Sequence, residues 1–398
     1  MSDFHRSSAL AEDFSLFVGG PYFRLLSWAG LNGSELQFLW RRILTLSLVA
    51  WLPLLLLCAL QGRLLHGDTV LSFLPDLGAH VHFLVALPLL LIAEVVVNRR
   101  IRDVPRKFLE RGLILENDLA RFHRAVTSVL KLRDSAFVEL LLIAFVALIV
   151  VPLRWNLYVA DQISSWHAVP TDGQLRPTMA GIWFACVSLP LFQFLLLRWY
   201  FRLFVWGRFL WLVSRFELQL MPGHPDRAAG LGFLGTKVGS FASLAVAQGA
   251  LLSAMIANQI LYDKDRLRDF DAEIVVVVVF VLCILLGPLV VFLPQLSNAK
   301  KAGLEEYGQL GARYVRAFDA KWGRGSLAQT DGLLGTADIQ SLADLANSYA
   351  TMKGMRYVPF TKGTALMLLL ATIVPLTPLA LTLMPWQDLL QKLAALVL

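Results

Sequence analysis

Charge is scarce in this chain, and so are the residue patterns that hold metals, disulfides or phosphates. Only 16% of the 398 residues are charged, against 57% that are apolar, which sets the chain apart from ordinary soluble domains. The three cysteines, Cys58, Cys186 and Cys283, stand singly inside apolar runs. That spacing excludes a C-x-x-C redox or zinc motif and argues against a disulfide framework. No H-E-x-x-H, P-loop, G-x-S-x-G or dinucleotide fingerprint falls where its chemistry would need it. No metal and no cofactor is therefore expected, and an enzyme is the less favoured class. No cleavable leader is expected either, because the first long apolar run follows Arg41 and Arg42 and has no small-residue cleavage site behind it.

What the chain has is length of apolar sequence. A bilayer core about 30 Å thick takes roughly 20 apolar residues as a helix. Seven runs meet that requirement, near 43–61, 79–97, 137–155, 179–199, 238–261, 274–294 and 363–384. The expected fold is an all-α integral membrane protein of about seven transmembrane helices. The run at 274–294 contains the β-branched string Val275 to Val279, which would suit a strand in water; its length decides for a helix. The net charge of +7 is no nucleic-acid signal, since the basic residues segregate by membrane side. With the N-terminus in the cytoplasm, only Arg63, Arg154, Arg176, Lys264, Arg266, Arg268 and Lys392 of the 36 lysines and arginines lie outside. The clusters Arg99-Arg100-Ile-Arg102 and Lys300-Lys301 then both lie inside, as the positive-inside rule asks.

The organisation follows. Residues 1–40 form an N-terminal interfacial segment, since Phe14 to Trp28 is apolar but broken at Gly19-Gly20-Pro21. Residues 41–100 hold the first two spans, and 101–135 a cytoplasmic amphipathic helix with a seam at Phe108, Leu115, Leu119, Phe122, Val126 and Val129. Residues 136–296 hold spans three to six. Residues 297–360 form a cytoplasmic helical segment, with Ile339, Leu342, Leu345, Tyr349 and Met352 on one face. Residues 361–398 hold the last span and a C-terminal amphipathic helix. The two cytoplasmic segments together would make a small helical cap. Matching Pro88-Leu89 and Pro288-Leu289, Asn98 and Asn298, and Tyr22-Phe-Arg-Leu25 and Tyr200-Phe-Arg-Leu203 suggest a parallel internal repeat.

The candidate functional residues fall into two groups. Glu94 lies about one turn inside the cytoplasmic end of span two; an ionisable residue there marks a pathway, snorkels, or pairs with Arg198 at similar depth. Gln193, Gln248, Asn258 and Gln259 are uncharged polar residues in spans four and five that must find partners inside the bundle. Span five is also rich in small residues (Gly239, Ser243, Ala247, Ala250, Ala254), a composition suited to close packing or to a polar path rather than to lipid. His80 and His82, on different faces of span two, read as neutral interfacial histidines. The second group is the loop trio His224, Asp226 and Arg227. It offers an acid–base pair, yet its prolines and glycines fit a rigid turn better, with Asp226 as N-cap of a helix starting at Arg227.

The stretch Ala337 to Tyr349, with Met355-Arg-Tyr-Val-Pro-Phe360 and the span ending Pro375-Leu-Thr-Pro378, resembles a group of bacterial multi-pass membrane proteins with no assigned activity. His224-Pro-Asp-Arg with Gly230-Leu-Gly-Phe-Leu-Gly235 is similar to the same group. The likeness covers roughly the second half of the chain and implies a bacterial inner-membrane location; it implies nothing about chemistry.

The leading function is a channel or transporter for ions or small solutes, a homo-oligomer in the bilayer. Its path would be lined by 238–261, with Glu94 near the cytoplasmic mouth. A non-transporting scaffold or sensor, binding a cytoplasmic protein through helices 104–132 and 338–352, is the alternative. The third reading is a lipid-acting membrane enzyme using His224 and Asp226.

Overall fold

The computed structural model describes residues 14–30, 36–65, 71–153, 165–171, 174–262, 266–323 and 337–382. The expected C-terminal amphipathic helix and most of the Gly-rich break at 323–335 lie outside them. Seven helices are long and apolar enough to cross a membrane: Phe38–Leu60, Leu77–Glu110, Ala136–Leu153, Met179–Val213, Gly232–Tyr262, Leu267–Val290 and Lys362–Ala380. They are called spans one to seven. The chain is an all-α multi-pass membrane protein.

Contacts between the connecting segments sort into two sets. At one end Lys237 Nζ meets Asp103 at 2.7 Å, Gln219 N–H donates to Leu113 O, and Lys300 Nζ donates to Met355 O. At the other, Trp166 N–H donates to Leu71 O and Asn258 Nδ2 donates to Asp76 Oδ1. Each set joins only segments that seven alternating crossings place on one side. The first end carries the Arg99-Arg100 and Lys300-Lys301 clusters and is called the basic face. The second carries an antiparallel hairpin, β1 (Ala168–Thr171) and β2 (Gln174–Pro177), and is called the hairpin face. Spans two and four run for 34 and 35 residues, about 50 Å at 1.5 Å per residue, so both project past the bilayer.

Span five, the small-residue helix, is the most enclosed: 56% of its most apolar stretch is buried, against 22% for span six and 11% for span three. It packs on spans two, six and seven. Gly249 is one reason, since any Cβ there would overlap the Thr372 carbonyl of span seven. Small residues let backbones approach where lipid supplies no hydrophobic drive for helix association. Span six turns Val275, Val276, Val279 and Phe280 outward and buries Val278, Val281, Leu285 and Leu289; its exposed face is the lipid face.

Three local readings of the sequence need revision. Phe14, Leu16 and Phe17 do not lie on a surface but are buried in the main core, ahead of a short helix, α1 (Gly20–Trp28). The segment 101–135 is not one helix. The end of span two stops at Glu110, Gly112 takes φ 62°, and Leu113 is fully buried before α2 (Leu119–Arg133) begins. The seam residues Phe108, Phe122, Val126 and Val129 are buried, with α2 packed on the projecting part of span four. Finally, the two proposed repeats share element order but not packing. Span seven packs on spans five and six, whereas span three packs chiefly on span four and α1.

The second segment on the basic face forms a helical hairpin, α3 (Leu293–Phe318) and α4 (Ala337–Lys353). Its base is fixed by buried Leu296, Gly303 and Met352. Farther out, Lys321 Nζ and Trp322 Nε1 of the α3 end both reach Asp338 Oδ2 of α4, at 2.7 and 3.0 Å.

Candidate functional site

Two polar assemblies lie inside the bundle, one toward each face. The first is a charge cluster near the basic face. Glu94 of span two is 5% exposed and is gripped from two sides. Arg42 Nη2 of span one lies 2.6 Å from its Oε2, and Arg202 Nη1 of span four pairs with its Oε1. Arg198, one turn earlier on span four, instead faces Glu139 of span three at 3.5 Å. Glu139 also accepts the Tyr22 backbone N–H at 2.7 Å. Rings close the assembly: the Arg198 guanidinium lies over Tyr22 at 4.2 Å and that of Arg202 over Phe17 at 4.4 Å. This explains the buried N-terminal segment, because Phe17 and Tyr22 are the lid of the cluster. Ser15 Oγ adds a bond to Asn98 Oδ1 at 2.7 Å.

Of the readings open for Glu94, pairing holds, but with Arg42 and Arg202 in place of Arg198. In sequence Arg42 stands just before the first apolar run, and Arg202 within the Tyr200-Phe-Arg-Leu203 match. The signal for Arg202 was helical spacing, since Arg198 and Arg202 are four apart and share a face.

The second assembly is a cavity of about 540 Å³ toward the hairpin face, between spans two, four, five and six. Span five lines it with Gln248, Asn258 and Gln259; Asp76, His82 and His167 add polar groups, and Phe83, Phe184 and Leu252 apolar ones. Asp76 organises the rim. Its carboxylate accepts from Trp166 Nε1 at 2.9 Å, from Asn258 Nδ2 at 2.8 Å and from Ala79 N–H at 3.2 Å. Asn258 Oδ1 in turn accepts the Leu77 N–H at 3.1 Å, so this pair ties span five to the start of span two. Gln248 Nε2 donates to the Tyr200 hydroxyl at 3.0 Å. Gln259 Oε1 is buried with no hydrogen-bond partner. Asp76 and His167 escaped the sequence reading, because both fall in connecting segments with no motif around them. Gln193 is half-buried and lines neither assembly.

Of the two span-two histidines, His80 accepts from Trp51 Nε1 at 2.9 Å and turns its other nitrogen to Leu74 O at 3.0 Å, the pattern of a neutral ring. His82 faces Gly78 O at 2.6 Å and lines the cavity.

Between the assemblies lies a layer of buried, mainly apolar side chains, crossed by the Gln248–Tyr200 bond. Ala86, Leu87, Leu90 and Leu91 on span two, Phe192 and Leu195 on span four, and Phe241, Leu244 and Ala245 on span five are all buried to within about 3%. From Phe83 to Glu94 this layer spans about 16 Å, and from Leu189 to Arg198 about 13 Å, at 1.5 Å per residue.

The loop trio is a turn. The helix does not begin at Arg227; Arg227 and Ala229 hold left-handed φ values of 53° and 52°, and span five starts at Gly232. Asp226 reaches that start from a distance, accepting backbone N–H groups from Ala228 (2.8 Å), Gly230 (3.2 Å) and Gly232 (2.9 Å). Partial burial acts to raise the Asp226 pKa, but these N–H donors and His224 outweigh it and hold the carboxyl below its usual range. His224 Nδ1 lies 3.2 Å from the Asp226 amide and 3.0 Å from its carboxylate. Arg356 donates to the carbonyls of Asp226 and Arg227, pinning the loop to the segment before span seven. Asp226 thus spends its acceptors on the backbone.

No family model, no curated protein and no solved structure matches the chain. Among the described residues no group of three or more His, Cys, Asp or Glu could hold a metal ion.

Proposed function

We propose that the protein is a transporter for a small polar solute, which it takes into the cavity between spans two, four, five and six. The observation that carries the reading is that cavity. It has the volume of a small-ligand site, lies within the apolar spans, and carries a buried acceptor, Gln259 Oε1, that meets no protein donor. A buried polar atom left unpaired in a native structure calls for a partner, and a solute with hydrogen-bond donors supplies one. The buried, mainly apolar layer supports a carrier over an open pore, because its packed side chains fill the way between cavity and basic face. The Arg42–Glu94–Arg202 cluster is the gate on that side, and its opening would pass the solute. A bacterial inner membrane, with the basic face in the cytoplasm, is the setting proposed from the charge pattern and the resemblance.

Binding tests this reading. A panel of sugars, polyols, amino acids and amines is screened for thermal stabilisation of the purified protein, with Gln259→Leu and Asn258→Leu alongside. At about 100 times Kd a ligand of the folded state adds about 2.7 kcal/mol, a clear rise in Tm. A solute that stabilises wild type but neither variant supports the proposal. Failure of the whole panel, or equal shifts in the variants, counts against it.

The scaffold or sensor reading retains one specific observation: the α3–α4 hairpin leaves Leu310, Val315, Ile339 and Tyr349 exposed. The other proposed docking segment, 104–132, already spends its apolar seam inside the molecule. Binding of a cytoplasmic protein by the hairpin, without solute flux through the folded protein, would favour that second reading.

A further inference from the structure

We propose that the junction of spans four and six with α2 is a binding site for an anionic phospholipid, its acyl chain in an intramembrane groove and its phosphate on four arginines. The groove, about 730 Å³, runs between Tyr200, Phe204 and Gly207 of span four and Ile284, Gly287 and Pro288 of span six. Its walls are almost wholly apolar. The ring of Pro288 comes within 3.6 Å of where a Cβ on Gly207 would sit, while a Cβ on Gly287 would meet nothing within 4 Å. Gly287 therefore leaves a channel open toward lipid.

Trp211 and Leu212 carry this groove into a second cavity of about 500 Å³, whose walls hold Arg121, Arg124 and Arg215; Arg208 lines the groove itself. From Gly207 to Arg215 the distance along the helix is about 12 Å at 1.5 Å per residue. That carries the site from the last turn of span six toward headgroup depth.

Three of the four guanidinium groups are held by contacts with neutral partners. Arg121 lies over Phe216 at 4.7 Å and Arg215 over Trp211 at 5.0 Å, and Arg208 donates to Ser128 Oγ at 3.0 Å. Among the described residues, the carboxylate paired with the group is Asp118, 3.8 Å from Arg121. Four cations facing one anion at the mouth of an apolar slot complement a lipid with a negative headgroup. Basic pockets between helices on the cytoplasmic side bind such headgroups, and arginine matches phosphate through paired donors. Trp211, 47% exposed, stands at the junction of tail and headgroup, where indole rings favour the interface.

The site shares no lining residue with the solute cavity, and the variants that test it touch none of that cavity's residues. Protein is purified through vesicles of phosphatidylcholine with 30% phosphatidylglycerol, and co-retained lipid is measured by native mass spectrometry. Three forms are compared with wild type: Arg124→Gln/Arg215→Gln, Gly287→Trp and, as control, Arg99→Gln/Arg100→Gln. Wild type and control should retain phosphatidylglycerol over phosphatidylcholine, and the first variant should lose about tenfold or more of that preference. Gly287→Trp, which fills the groove without touching an arginine, should lower retention of both lipids. A preference unchanged in the arginine variant, or lost equally in the control, overturns the site. Retention unchanged in Gly287→Trp overturns the groove as the seat of the chain.

Discussion

The charge cluster makes a quantitative prediction. Three arginines (Arg42, Arg198, Arg202) and two glutamates (Glu94, Glu139) sit together with side chains between 4 and 11% exposed, so the assembly carries one net positive charge. Glu94→Gln removes the anion shared by two of the arginines and doubles that excess to two. Breaking a buried pair by deleting one partner costs about 3–5 kcal/mol, because the remaining charge stays buried without compensation. Arg202→Gln instead brings the count to zero and leaves Glu94 paired with Arg42 at 2.6 Å; it should cost clearly less. The double variant restores the original excess of one charge. The two effects should therefore not add, with a coupling of at least about 1.5 kcal/mol. Equilibrium unfolding in bicelles or mixed micelles, followed by tryptophan fluorescence, measures all four corners of the cycle. A Glu94→Gln cost below about 1 kcal/mol, an equal cost for Arg202→Gln, or strict additivity would each refute the reasoning.

Two further predictions concern backbone architecture. Asp226→Ala leaves three backbone donors without their acceptor, at about 1–3 kcal/mol for each that stays dry, and amide exchange at Ala228, Gly230 and Gly232 should rise by at least tenfold. Because the folded pKa of Asp226 is depressed, its contribution is complete above the ordinary carboxylate value near 4 and is lost as pH falls through the lower folded value. Exchange at those amides that is the same in Asp226→Ala and wild type at pH 7 would remove the loop's role. Gly249→Val drives a side chain into the Thr372 carbonyl, and overpacking of this kind costs about 1–3 kcal/mol. A cysteine cross-link between spans five and seven should then weaken in yield, and an unchanged yield and Tm would contradict the contact.

Much of the fold was legible because apolar length is an additive property of a segment. Seven runs of the right length became seven spans, and the small-residue run at 238–261 became the most enclosed helix. Seven crossings alternate the connecting segments between two faces, and the loop contacts sort into those same two sets. What escaped was every feature that depends on which helices are neighbours. Glu94 stood out as a charge at depth, but Arg42 and Arg202 became its partners only through the adjacency of spans one, two and four. Phe14 to Phe17 has the composition of an interfacial segment, yet the cluster needs a lid and draws it inward. Asn258 was a candidate by its polarity alone; Asp76, its partner, lies in a connecting segment 182 positions away and carried no local signal. Of the seam at 104–132, Phe108, Phe122, Val126 and Val129 are buried, although the helix expected to carry it is broken at Gly112. The seam's partner turned out to be the projecting end of span four, a length that apolar content does not report.

Solute flux into proteoliposomes tests the central claim most directly. Wild type, Gln248→Leu/Gln259→Leu and Glu94→Gln are reconstituted in parallel, and uptake of labelled polar solutes and of monovalent ions is followed under imposed concentration, pH and voltage gradients. Wild type should show saturable uptake of at least one polar solute, lost in the cavity variant and altered in rate or pH dependence in Glu94→Gln. Flux in none of the gradients by a folded wild type that retains its thermal transition, or uptake unchanged in the cavity variant, would contradict the claim.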